Sequence, residues 1–190
     1  MRYITFIFYL VIIPNIIFSQ NDSEFSTFTD SRDGKAYKTV KIGNQTWMAE
    51  NLAYIAGNNC LDTDFDFNKE EYGQLYSWET AKKVCPTNWY LPSKEEYETL
   101  LDKYGGEKNY TNENYEALIP GGISGFSALF GGWRNINGDS GYFGRSGYFW
   151  MSSQNGNKSW GLNIASGFKK AGFISYNKII GMSVRCVQDN

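Results

Sequence analysis

No histidine occurs among the 190 residues of this chain. That absence removes Ser-His-Asp and Cys-His catalysis, and with them histidine-ligated zinc. It also removes the side chain whose unperturbed pKa lies nearest neutrality. Proline is scarce, at four residues, against 20 glycines and 17% aromatic residues. That balance favours many short strands joined by tight turns. There is no block of basic residues, and the formal charge is −2, or −3 without Arg2. The chain therefore has no electrostatic footprint for nucleic acid, and no polybasic segment for a membrane surface. Cysteine is limited to Cys60, Cys85 and Cys186, so at least one thiol is left over from any pairing within the chain.

The one long apolar run is at the start. Arg2 precedes Ile4 to Phe18, with Ile17 and Ser19 three and one residues before a cut ahead of Gln20. This is the layout of a secretory signal peptide. The run is shorter than the roughly 20 residues a spanning helix needs, and it contains Pro14. No Cys lies near the cut, so no lipoprotein-type anchor is expected. The expectation is a signal peptide over 1–19, a polar leader over 20–29 and one domain over 30–190. The protein would be secreted or held at the cell surface, with no membrane span after cleavage. Cleavage leaves 171 residues, enough for a sizeable core.

The stretch Asp30 to Leu52 reads as a hairpin. Tyr37, Val40 and Ile42 are the apolar members of its first strand, Gly43-Asn44 the turn, and Gln45 to Met48 the return, with Trp47. Asn51 to Glu71 is a polar loop. Tyr76 to Cys85 reads as a helix capped by Ser77 and stopped by Pro86. A second helix begins near Ser93, which forms a capping box with Glu96. Tyr97, Leu100, Leu101 and Tyr104 repeat at helical spacing before Gly105-Gly106 ends it. From Asn109 glycine-rich loops dominate. Gly147 to Ser153, Ser159 to Ala165 and Phe173 to Tyr176 read as strands. Met182 to Val187 reads as a late strand with Met182, Val184 and Cys186 on a buried face.

Five blocks also carry a resemblance. DSRDGKAYKTVKIGNQTWMAENLAY, YGQLYSWETAKKVCPTNWYLPSKEEYETLL, GGWRN, GYFWMSS and GMSVRCVQD occur in that order, from about residue 30 to residue 189. Together they closely resemble the Fibrobacter succinogenes major paralogous domain, a family of exported bacterial proteins of unestablished function. The resemblance implies an α+β, C-type-lectin-like mixed fold, related to the formylglycine-generating enzymes. Two helices would pack on short twisted antiparallel sheets with long Gly-rich loops. It also implies a disulfide between Cys85, ending the first helix, and Cys186, in the last strand. Family members often carry a second Cys pair before the YG block. Here only Cys60 stands there, a free thiol or an intermolecular link.

Chemistry-bearing clusters are few. Asp62, Asp64, Asp66 and Asn68 alternate as oxygen donors suited to Ca²⁺. The EF-hand pattern fails, with Phe67 in place of the turn glycine and Gly73 in place of the bidentate Glu. A solvated acidic loop is the plainer reading, and no cofactor is required. The sugar-site triplets of calcium-dependent lectins are missing. The reactive Cys pair of the formylglycine-generating enzymes is missing too, since Cys186 is the single Cys after Cys85. Trp47, Trp78, Trp133 and Trp150 read as core, whereas Trp160 reads as a surface candidate. Tyr142, Phe143 and Tyr148 flank the loop GDSGYFGRSGY, the preferred exposed binding surface. Arg134 and Arg185 read as loop-holding residues.

The chain thus reads as a non-enzymatic surface or secreted module binding a glycan or a surface protein. The alternatives are a carbohydrate-active enzyme using carboxylates such as Glu95 or Asp139, and a purely structural envelope protein. An enzyme of that kind needs two carboxyl groups facing each other about 5–10 Å apart.

Overall fold

The computed structural model describes residues 24–57, 69–105 and 112–189. The segment expected to be a signal peptide, Cys60 and the run Asp62, Asp64, Asp66 and Asn68 lie outside the described residues. Three strands come first: β1 (Phe25–Thr29), β2 (Ala36–Ile42) and β3 (Gln45–Met48). Four helices follow: α1 (Lys69–Tyr72), α2 (Trp78–Val84), α3 (Lys94–Asp102) and α4 (Asn112–Leu118). Then come β4 (Trp133–Arg134), β5 (Ser140–Gly141), β6 (Ser146–Asn155), β7 (Lys158–Ala165), β8 (Lys170–Asn177) and β9 (Val187–Asp189). The result is a mixed α+β fold with small sheets and few helices.

Three antiparallel sheets form, in the orders β1-β2-β3-β9, β4-β5 and β6-β7-β8. The β2–β3 hairpin closes on Ile42 opposite Gln45, with Gly43 at φ +64°. Glycine at the first central position is what a type II′ turn requires. Ser77 caps α2 by accepting the Thr80 N–H at 3.4 Å. In α3 the Ser93 Oγ accepts the Glu96 N–H at 3.2 Å, while Glu96 Oε2 accepts the Ser93 N–H at 2.6 Å. Both orphan donors of the first turn are thus satisfied.

Two cores lie on the two faces of the strands. Val40, Ile42, Trp47, Phe149, Met151, Leu162 and Val187 enter the first, against Tyr97, Leu100 and Leu101 of α3 and Tyr115 and Leu118 of α4. Tyr37, Met48, Tyr148, Trp150 and Val184 enter the second, against Trp78, Ala81 and Val84 of α2. Neighbouring strand residues point to opposite faces, so Phe149 and Trp150 belong to different cores. The hairpin expectation grouped Tyr37 with Val40 and Ile42. Tyr37 in fact faces the second core, because an odd separation along a strand reverses the side.

Three further expectations are corrected. Residues Phe25–Thr29 are not a loose leader but β1, paired with β2 from Phe25 opposite Val40 to Thr29 opposite Ala36. Backbone bonds hold them, and their side chains are mostly exposed. Asn112–Leu118, where no helix was expected, is helical and buries Tyr115, Ala117 and Leu118. The late strand expected over Met182–Val187 is not formed as such: residues 181–183 make isolated bridges and pairing as a strand begins only at Val187, while Ser183 and Arg185 are buried along with Met182, Val184 and Cys186. Residues 181–186 run between the sheets. The Ser183 N–H donates to Tyr148 O on one side, and the Leu52 and Met48 N–H groups donate to Val184 O and Cys186 O on the other.

Cys85 is disulfide-bonded to Cys186 across a separation of 101 residues, with Cα atoms 5.9 Å apart. Closing a loop of that length is worth about 4.7 kcal/mol in the chain-entropy model. It ties the C-cap of α2 to the segment that joins the sheets.

Candidate binding surface

The link between β5 and β6 is a tight turn that projects two aromatic side chains. The Arg145 and Ser146 N–H groups both donate to Tyr142 O at 2.9 Å, and the Gly144 N–H donates to Phe130 O at 2.8 Å. Tyr142 sits at φ +60°, a region rarely adopted by bulky side chains. Gly132 lets the turn dock: a Cβ there would lie 2.4 Å from Gly141 O and 2.9 Å from the Phe143 N. Tyr142 is left 58% exposed and Phe143 48% exposed.

Ring contacts lead from this turn into the second core. Phe143 meets Tyr72 edge-on at 4.9 Å. Tyr142 lies 6.3 Å from Tyr148, and Tyr148 lies 5.7 Å from Tyr176, which is 6.4 Å from the buried Trp150. The Tyr176 hydroxyl is buried and, among the described residues, has no hydrogen-bond partner. Burial pushes the phenols of Tyr148 and Tyr176 above their ordinary pKa, so both stay neutral across the physiological range.

The sequence-derived surface set does not hold together. Tyr142 and Phe143 are exposed as expected, but Tyr148 is buried. Its glycine neighbour is a packing glycine rather than a loop glycine: a Cβ on Gly147 would lie 2.8 Å from the Phe149 ring and 2.9 Å from Leu129 O. Trp160 is half-buried against the first core, with Lys94 Nζ 5.4 Å from its ring. It therefore lies on the opposite face of the β6-β7-β8 sheet from Tyr148. Tyr72 and Tyr176 complete the aromatic row, and both were missed. Their contacts come from elements distant in sequence, so no local pattern marks them.

The other tryptophans are structural. Trp47, Trp78 and Trp150 are buried. Trp78 Nε1 donates to Met151 O at 2.8 Å and Trp150 Nε1 to Tyr76 O at 2.7 Å. Trp133 is half-buried against the second core. Arg185 holds loops as expected, from a fully buried position. Nε donates to Asn51 Oδ1 at 2.7 Å, Nη1 to Met48 O at 3.1 Å and Phe126 O at 2.5 Å, and Nη2 to Ser127 O at 2.8 Å. Burial lowers its pKa to about 9, so it is still a cation at pH 7.

The carboxylates are engaged in structure. Asp139 accepts the Asn135 Nδ2 at 2.8 Å within the β4–β5 turn, and Glu95 accepts the Ser153 hydroxyl at 3.4 Å. Glu96 and Asp189 do converge, at 2.8 and 2.6 Å from the Tyr90 hydroxyl. Glu96 also serves the capping box, so this pair binds β9 to the start of α3. A groove of about 340 Å³ is lined by Arg32, Tyr54, Ser77, Glu79, Thr80 and Lys83. Arg32 is committed there: it chelates Asp30, donates to Val84 O at 2.8 Å and lies 3.8 Å above the Tyr54 ring. Among the described residues no group of three His, Cys, Asp or Glu side chains is placed to hold a metal ion.

These features define a disulfide-linked α+β domain with small antiparallel sheets and an aromatic turn at its surface. The chain belongs to the family described as the Fibrobacter succinogenes major domain, whose model matches residues 40–188. No curated protein and no solved structure matches the chain.

Proposed function

We propose that this protein is an exported, non-enzymatic binding module that takes a glycan on the turn carrying Tyr142 and Phe143. The observation that carries this reading is the pair of exposed rings on a turn fixed by three backbone hydrogen bonds. Rigid aromatic side chains give large contact area at low entropic cost, and a sugar ring presents C–H faces that suit them. The positive φ of Tyr142 fits a site where backbone strain is kept for function. Export agrees with the signal-peptide layout, and an oxidising compartment agrees with the Cys85–Cys186 bond. A C-type-lectin-like scaffold is favoured by that bond, which joins the end of α2 to the segment entering β9. The bonding of Cys186 to Cys85 argues against formylglycine-generating chemistry.

A glycan array followed by titration calorimetry tests the reading. Tyr142→Ala and Phe143→Ala should each weaken binding about tenfold or more while leaving the melting temperature within a few degrees. Absence of any bound glycan, or full binding by both variants, overturns it.

A further inference from the structure

β1 is the outer strand of the β1-β2-β3-β9 sheet, and among the described residues no strand pairs with its far side. In an antiparallel pair, alternate residues turn their backbone groups toward the neighbour. Around β1 the Lys41 N–H donates to Glu24 O and the Asp30 N–H donates to Lys35 O. Even-numbered residues of β1 therefore face β2. Phe25, Thr27 and Thr29 turn their N–H and C=O groups outward, and among the described residues these groups have no partner.

The usual protections of an edge are missing from FSTFT. It has no charged residue, no proline and no bulge, and its register with β2 is continuous from Phe25 to Thr29. Its sequence is also self-complementary in register. A two-fold axis through Thr27 sets Thr27 opposite its own copy and Phe25 opposite Thr29. Every outward N–H then meets an outward C=O. On the same face, an open trough of about 450 Å³ runs along Phe25, Thr27, Ala36, Lys38 and Glu50. Thr29 is paired with Ala36, so the axis delivers Phe25 of the second copy to that trough.

We propose that the β1 edge pairs antiparallel with the β1 edge of a second copy of this chain, about a two-fold axis at Thr27. The two four-stranded sheets become one continuous eight-stranded sheet. A five-residue edge buries less than the roughly 1,200 Å² of a stable interface, so the dimer is weak and concentration-dependent. The strand precedes the family-matched residues and is remote in sequence from the aromatic turn, so this inference stands apart from the glycan reading.

Sedimentation equilibrium on the chain from Gln20 on, carrying Cys60→Ser, tests it. The average mass should rise toward the dimer with concentration. Thr27→Pro removes an N–H that faces away from β2, a position where an edge tolerates proline. It should give a monomer at every concentration with an unchanged melting temperature. Thr27→Lys sets two ammonium groups against each other at the axis and should do the same without touching the backbone. A parent chain that stays monomeric overturns the proposal. So does a dimer that survives both Thr27→Pro and Thr27→Lys.

Discussion

Replacing Arg185 with Met keeps the length and most of the volume of the side chain but removes all of its donors. Four acceptors lose their arginine donor: Asn51 Oδ1, Met48 O, Phe126 O and Ser127 O. Each buried acceptor left unsatisfied costs about 1–3 kcal/mol. Against that, the variant no longer desolvates a cation, which lightens the loss. Breaking a buried charged network from one side typically costs about 3–5 kcal/mol, and that range is expected here. It is a fifth or more of the roughly 5–15 kcal/mol that holds a typical domain. The guanidinium also lies 4.9 Å from the Phe126 ring and 5.6 Å from the Phe149 ring, so the loss reaches the first core. Urea unfolding followed by tryptophan fluorescence, with the disulfide kept oxidised, reads the difference directly. Arg185→Lys should recover less than half, because a single ammonium cannot reach acceptors spread around a planar fork. An Arg185→Met variant within about 1 kcal/mol of the parent would refute the claim that this residue ties the loops together.

Two other perturbations have opposite signs. The Tyr97 hydroxyl is fully buried and, among the described residues, has no hydrogen-bond partner. Tyr97→Phe should therefore stabilise the domain by about 1 kcal/mol, raising the melting temperature by about 2–4 °C in a calorimetric scan; a drop would expose a partner for that hydroxyl. Asp30 is buried, and its hydrogen bonds from Arg32 hold its pKa below the ordinary 3.8. The folded pKa is the lower one, so this contribution is complete above pH 3.8 and fades as pH falls through the folded value. Asp30→Asn should cost about 1.5–3 kcal/mol at pH 7, with the gap to the parent closing in urea titrations below pH 3.8. A gap independent of pH would mean that the charge is not what matters.

What the sequence made legible was local. The Ser93–Glu96 box, the Gly43 turn and the helical spacing from Tyr97 to Leu101 depend on neighbours within a few residues, and all stand as expected. The Cys85–Cys186 bond came through the family resemblance and is present. The strand β1 was illegible because backbone pairing holds it, and FSTFT carries no hydropathy signal for that. Helix α4 was hidden by the glycine-rich text that follows it. The surface set failed at Tyr148 because glycine was read as a sign of exposure. Gly147 is glycine for the reverse reason: a neighbouring ring and a carbonyl leave no room for a side chain. Tyr142 and Phe143 differ from it only in lying on the far side of a turn, which no local pattern encodes.

The two-core arrangement bears on how this fold finds its register. In a sheet with one wet face, a one-residue slip throws the apolar side chains into water, and that penalty enforces pairing. Here a one-residue slip of β6 would move Phe149 from one dry compartment to another, since residues 146–151 are buried on both faces. Hydrophobicity alone is nearly blind to the error. Alignment must then come from features that tolerate no offset: the Gly43 turn, the Arg185 fork and the covalent tie at Cys186. Variants that loosen any of these should accumulate compact, apolar, wrongly threaded chains rather than open ones.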